Sequence, residues 1–283
     1  MPDFVRIFEM GPRDGLQNEA AMISTADKVA LVDKLSDCGF DHIEVTSFVS
    51  PKWVPQMADA AEILARISRK QGVAYTALTP NMRGYQAARA AGADEVAIFG
   101  SASEGFSKAN INCSIEESLA RFAPLVAASL ADGIPVRGYV SCVVECPYDG
   151  PVAPEAVARV ATALLEMGCY EISLGDTIGA GVPDTVLAML EAVLQAVPVG
   201  KLAGHYHDTN GRAVENIEVS LKAGLRVFDA AIGGLGGCPY APGAAGNVDT
   251  LMVVKRLSEL GYETGLDVAR LEAVAAFAKG LVG

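Results

Sequence analysis

The chain has 283 residues, 51% hydrophobic and 20% charged, with 22 basic against 34 acidic side chains for a net charge of -12. That length exceeds a typical domain but suits a (β/α)₈ barrel, usually about 250 residues, and the apolar share supplies an ample core. The acidic balance argues against general nucleic-acid or anionic-membrane binding, so an anionic ligand would need locally placed Arg or Lys. The sequence contains no run of about 18 apolar residues and no basic-then-apolar signal at its start, so no membrane contact is expected. Six cysteines scattered over this length do not form a disulfide framework, and reduced thiols in a cytoplasmic protein are expected. The Asn112-Cys113-Ser114 sequon is therefore only formal.

Residues 5–9 read as a first strand. A unit then repeats: an amphipathic helix, a glycine that stops it, and a short apolar strand. The stopping glycines are Gly39, Gly72, Gly92, Gly133, Gly168, Gly200 and Gly224. The strand-like runs after them are 42–46, 73–78, 95–99, 135–142, 170–174, 202–207 and 227–232. Glycine just past a helix end takes the left-handed conformation at no steric cost. Helix starts are marked by Ser24, by Ser114 with Glu117 as a capping box, and by Pro154 and Pro183 in first turns. One opening strand and seven such units give eight strands, and alternating units require parallel pairing with the helices outside. Eight units favour closure into a barrel. A doubly wound sheet fits less well, because neither Gly-x-Gly-x-x-Gly after the first strand nor a Walker loop is present. Residues 267–281 read as an extra helix, and residues 1–283 as one catalytic domain.

In such barrels the functional groups sit at the C-terminal ends of the strands. After the first come Arg13, Asp14 and Gln17, within GPRDGLQN at 11–18; the second carries Glu44. Cys142 and Cys146 follow the fifth strand, Asp176 and Thr177 the sixth. His205 and His207, two of only three histidines in the chain, end the seventh. Residues two apart in a strand face the same way, so the two imidazoles point together. Beyond the eighth strand runs a loop with six glycines from Gly233 to Gly246, which carries Cys238 and leads to Asn247.

Each residue also has an ordinary reading. Asp14-Gly15 reads equally as a turn and Arg13 as a surface charge. Glu44 suits a structural ion pair as well as catalysis. Asp176 suits a helix cap or a hydrogen bond behind a ligand histidine. Cys142, Cys146 and Cys169 read as buried thiols, Cys38 and Cys113 as structural ones, and His42 as a group on the stability face. Taken together, Asp14, His205, His207 and Asn247 form a metal set of two nitrogens and two oxygens, with room left for substrate or water. Hard oxygen donors favour Mg²⁺ or Mn²⁺, while the imidazoles keep Zn²⁺ and Co²⁺ in play. Cys238, on a long loop of the lid kind, suits proton transfer better than ligation.

These residues resemble the 3-hydroxy-3-methylglutaryl-CoA lyases along nearly the whole chain, and more loosely a wider group of metal-dependent lyase and synthase barrels. The resemblance rests on GPRDGLQN at 11–18, TSFVSPKWVPQ at 46–56, NINCSIEE at 110–117, YEISLGDTI at 170–178 and GLGGCPYAPG at 234–243. The cysteine loop together with SFVSPK at 47–52 is its most specific part. The resemblance implies a (β/α)₈ barrel that cleaves hydroxymethylglutaryl-CoA to acetyl-CoA and acetoacetate. It implies Asp14, His205, His207 and Asn247 as metal ligands, Arg13 as the catalytic cation, Cys238 as the loop acid and Glu44 as completing the Arg-Asp-Glu trio. Asp14 or His205 is expected to act as base. An acyl-CoA is the expected substrate, contacted by Arg13, Gln17 and Asn110, with its phosphates near Lys52 and Lys108. The expected assembly is a homo-oligomer, a dimer. Three positions depart from the family pattern: Leu251 stands where a Glu is usual, Ala109 where some members carry Lys, and Tyr206 where a smaller residue is common. Two other enzyme readings are a lyase for a longer branched 3-hydroxyglutaryl-CoA and an aldolase or Claisen synthase. A non-catalytic acyl-CoA- or metal-binding barrel is the remaining one.

Overall fold

The computed structural model describes residues 3–238 and 241–283, and over residues 237–245 only the backbone of those included. Eight strands close into a parallel barrel. They are β1 (Arg6–Glu9), β2 (His42–Ser47), β3 (Ala74–Leu78), β4 (Glu95–Ser101), β5 (Val136–Ser141), β6 (Glu171–Asp176), β7 (Leu202–Tyr206) and β8 (Val227–Ala230). Each pairs with its neighbours in sequence, and β1 shuts the ring against β8 with Arg6 opposite Val227 and Glu9 opposite Ala230. Parallel neighbours need crossovers, and the helices between them supply these on the outside. The main apolar core lies between strands and helices. A separate cluster of Phe8, Met10, Leu78, Ala97 and Tyr139, drawn from strands on different sides of the ring, plugs the interior.

The local signals act as chemistry requires. Ser24 accepts the Asp27 N–H at the start of α1 (Thr25–Ser36), and Ser114 and Glu117 exchange hydrogen bonds in a capping box at the start of the helix Ile115–Ala131. Two of the stopping glycines behave differently from expectation. The helix before Gly72 already ends at Arg66 with an extended Ile67, and Gly72, with a φ of +87°, instead turns the chain towards β3. Gly200 is the other. The helix before it ends at Leu194, and Gly200 lies in a 3₁₀ turn, Val199–Lys201, without a left-handed φ. Pro198 accounts for this, because a residue without an N–H bars further helix and no left-handed cap is needed. The seventh strand also ends one residue early, at Tyr206, and His207 instead pairs antiparallel with Asn247. Two antiparallel ribbons stand on the connecting loops, Glu145–Cys146 with Gly150–Pro151 and Gly237–Cys238 with Ala241–Ala245. The glycine-rich loop thus includes a short backbone ladder. The C-terminal helix Val268–Val282 packs on α1 and on the turn Ile232–Gly234 that follows β8. Among the described residues, no helix is long and apolar enough to cross a membrane.

At the N-terminal end of β2, His42 sits between two acids, with Nδ1 2.9 Å from Asp41 and Nε2 3.3 Å from Glu95. Burial alone would lower its pKa, but hydrogen bonds to Asp41 and Glu95 overcome this and raise it to about 9. A histidine whose pKa rises on folding contributes stability below its unfolded value and loses it as pH climbs through the folded one. We expect His42→Gln to cost roughly 1–3 kcal/mol at pH 6. The gap from wild type should shrink between pH 6.5 and 10 when urea midpoints are compared; a gap constant with pH would refute the assignment.

Candidate active site

Arg13 and Asp14 sit in a π-helical turn, Gly11–Gly15, directly after β1. The turn is held from below by Glu9, whose carboxylate accepts N–H groups from Gly11 and Ile232, each at 2.8 Å, and the Thr250 hydroxyl at 2.7 Å. Burial raises the Glu9 pKa to about 7. A Cβ on Gly15 would stand 2.7 Å from the Leu235 Cβ, so only glycine lets this turn approach the segment after β8. Gly236 on that segment has a φ of +102° and brings the chain alongside Asn247.

Asp14, His205 and His207 converge so that one ligand atom from each lies within 4.8 Å of the others. The Nε2 atoms of both histidines stand 3.8 Å from the same Asp14 oxygen, too far for hydrogen bonds and a suitable span for an ion between them. Asn247 is brought to the same point, its Nδ2 donating to Asp14 at 2.9 Å, so ligation by its Oδ1 would require that amide to turn over. The donor set suits a divalent cation: one carboxylate, two imidazoles and an amide oxygen, partly buried and open to a cavity on one side.

Glu44 is fully buried on β2; it accepts the Arg13 Nε–H at 2.7 Å and the Tyr139 hydroxyl. Arg13 also pairs with Asp14 through Nη1. Burial works against the Arg13 charge, but Asp14 and Glu44 outweigh it and raise its pKa. Burial raises the Glu44 pKa, with the Arg13 charge opposing. Asp14 is likewise disfavoured by burial, yet the Arg13 charge holds its carboxyl well below the usual range. Arg13 is buried, so its surface-charge reading fails, while Asp14-Gly15 does lie in a turn, one that lets both Arg13 and Asp14 line the cavity.

Above these groups opens a cavity of about 740 Å³ that reaches from the two histidines out to Trp53. Arg13, Asp14, Gln17, Asn110 and Asn247 line it. Lys52 and Lys108 do not line it; both are exposed, on loop and helix surfaces that turn their side chains to solvent. The basic group that does line the outer part is Arg121, on the helix Ile115–Ala131, which the sequence pattern did not single out because it reads as an exposed helix charge. The Cys238 side chain lies outside the described residues. Asp176 accepts the N–H groups of Ala180 and Gly181 at 3.1 and 2.8 Å, and so acts as a loop cap. The group behind His205 is Asp229, 3.0 Å from its Nδ1. Its signal was a lone acid inside the apolar run of β8. Beside Leu251, the Asp249 carboxylate caps the helix Thr250–Glu259 by accepting the Leu251 N–H at 2.9 Å. Tyr206 points outward and bonds Ser220 at 2.7 Å.

A (β/α)₈ barrel with a cavity at the C-terminal ends of its strands, over convergent carboxylate and imidazole groups, has the anatomy of a barrel enzyme with a candidate divalent-metal centre. The HMGL-like family model matches residues 4–278, and the chain belongs to that family. It is 56% identical over 276 residues to a mitochondrial hydroxymethylglutaryl-CoA lyase of Gallus gallus, covering 98% of this chain and 93% of the relative. It is 55% identical over 271 residues to a 3-hydroxy-3-isohexenylglutaryl-CoA/hydroxy-methylglutaryl-CoA lyase of Pseudomonas aeruginosa, covering 96% of this chain and 90% of the relative. Among solved structures, the HMG-CoA lyase from Brucella melitensis superposes with a TM-score of 0.98 at 63% identity, covering 99% of each chain.

Removing Glu44 should be costly, because the buried Arg13 charge loses its Nε partner and the Tyr139 hydroxyl loses its acceptor. We expect Glu44→Ala to lower stability by about 3–5 kcal/mol in urea titrations. A loss below about 1 kcal/mol would mean the pair is not closed off from solvent.

Proposed function

We propose that this protein is a carbon–carbon lyase that cleaves 3-hydroxy-3-methylglutaryl-CoA to acetyl-CoA and acetoacetate. The observation that carries the reading is the convergence of Asp14, His205, His207 and Asn247 beside the buried Arg13–Glu44 pair, in a cavity of about 740 Å³ that extends to Trp53. The four residues would hold the cation, Mg²⁺ or Mn²⁺ by the hardness of the oxygens, with Zn²⁺ and Co²⁺ admitted by the imidazoles. What a divalent cation supplies at such a site is Lewis acidity: it lowers the pKa of the substrate's tertiary hydroxyl and fixes the geometry of its chelate.

The chain's own residues do the rest. Asp14 is the base that takes the hydroxyl proton, since the two ring nitrogens of His205 face Asp229 and the cation position. The C–O bond then becomes the ketone of acetoacetate, and the pair from the broken carbon–carbon bond passes into the thioester as an enolate. Arg13, held by Glu44 and charged under all working conditions, places its guanidinium on the developing enolate oxygen. Cys238 delivers the proton that turns the enolate carbon into the methyl group of acetyl-CoA, with the glycine-rich loop excluding water. Gln17 and Asn110 contact the acyl arm, and Arg121 takes the role first expected of Lys52 and Lys108, meeting CoA phosphate. The chain acts as one catalytic unit, and the five described cysteines, all free thiols, fit a reducing cytoplasm.

A second reading concerns the acyl chain alone. The Pseudomonas aeruginosa relative is named for an isohexenyl as well as a methyl substrate, and the small side chain of Ala109 lines the cavity. Both thioesters therefore belong in the assay.

Acetoacetate release from hydroxymethylglutaryl-CoA should require added Mg²⁺ or Mn²⁺ after chelation; no release with either ion would sink the proposal. Arg13→Gln and Cys238→Ala should retain Mn²⁺ binding within a few-fold and lose turnover by about 10²–10⁴-fold. Near-normal rates in either variant would remove that residue from the mechanism. Trp53, the only tryptophan in the chain, lines the cavity and is 86% exposed, so its emission should change as CoA is titrated in. An unchanged spectrum at saturating CoA would place the nucleotide elsewhere.

A further inference from the structure

A neutral imidazole carries one N–H, and the partner of one ring nitrogen decides which nitrogen holds it. His205 Nδ1 lies 3.0 Å from Asp229 Oδ2, which also accepts the Ser173 hydroxyl at 2.7 Å. The other Asp229 oxygen accepts Arg137 Nη2 at 2.7 Å. Arg137 is wholly buried, as is Asp229 beside it, and a guanidinium does not give up its proton in a protein. Asp229, wholly buried against that permanent cation and accepting the Ser173 hydroxyl as well, is a carboxylate and can only accept. His205 must then donate from Nδ1. In the neutral form that a metal ligand must take, its Nε2 is then a bare lone pair facing the Asp14 carboxylate oxygen across 3.8 Å. Two acceptors facing each other at that distance are reconciled by a cation between them.

We infer that Asp229 is a positioning residue for the metal centre: through Arg137 and Ser173 it fixes the tautomer and aim of His205, and so sets the affinity of the site for a divalent cation. The inference rests on the metal-site reading and gives this acid, in the middle of β8, a task beyond neutralising Arg137. Arg137 already has a second acid partner, Glu171 at 2.9 Å. The arrangement also predicts what an isosteric change does. In Asp229→Asn, the Arg137 donors draw the amide oxygen to themselves, which turns the amide nitrogen towards His205. The bond to Nδ1 then reverses, the ring proton moves to Nε2, and the nitrogen that faces Asp14 is blocked.

The test uses Mn²⁺ titration followed by electron paramagnetic resonance, and long-range ¹⁵N–¹H correlation of the ring nitrogens in metal-free protein; only three histidines need assignment. Wild-type protein should show His205 protonated on Nδ1. Asp229→Asn should show it protonated on Nε2 and bind Mn²⁺ about 10–100-fold more weakly. A wild-type His205 protonated on Nε2 overturns the inference whether or not the variant folds. So does an Asp229→Asn protein that keeps the wild-type tautomer and binds Mn²⁺ within about 3-fold of wild type. Wild-type protein that takes up no Mn²⁺ would instead overturn the metal-site reading, which keeps the two failures apart.

Discussion

The buried guanidinium of Arg137 is the constraint on which the interior depends. It lies 4.1 Å from the centre of the Phe8 ring, inside a closed barrel where no water can carry its charge. Its donors reach Glu171, Asp229 and the Tyr139 hydroxyl. From Tyr139 the chain of bonds runs to Glu44 and on to Arg13; from Asp229 it runs to His205. The two arms meet again at Asp14, which pairs with Arg13 and faces both histidines. Buried polar groups of this kind are high-stakes: fully satisfied they fix one arrangement, and partly satisfied they cost more than an apolar core. The network explains how a site built from strands on different sides of a barrel keeps its side chains in one place without a rigid loop to hold them.

The same ring of bonds separates two jobs. Arg13 has its acids on one side and the cavity on the other, so its charge is both neutralised at rest and available to a developing anion. Asp14 is shared between that cation and the candidate metal. Tightening one contact alters the other, and the two halves of the site are therefore coupled through a single carboxylate.

Much of this was legible in the sequence, for physical reasons. The helix–glycine–strand period follows from short parallel strands that need long outer crossovers, and it recurred often enough to give all eight strands. His205 and His207 were legible because a period of two is fixed by the strand, even though His207 falls just past its end. Asp14 and Asn247 could be grouped with them because barrel geometry brings strand ends to one rim. What could not be read depended on the path of individual side chains. Lys52 and Lys108 share segments with lining residues yet face solvent, which no spacing reveals. Asp229 and Arg137 each read as a stray charge within an apolar strand, and only the closed ring shows that they meet. Gly200 matched its pattern by composition, while Pro198 had already ended the helix.

The account stands on four side chains gathering around one ion. The most direct measurement is the anomalous difference map of a crystal soaked with Mn²⁺. One peak should lie about 2.0–2.3 Å from an Asp14 oxygen, the Nε2 atoms of His205 and His207, and the Asn247 amide oxygen. A peak held by other residues, or no peak at these four under saturating Mn²⁺, would contradict it.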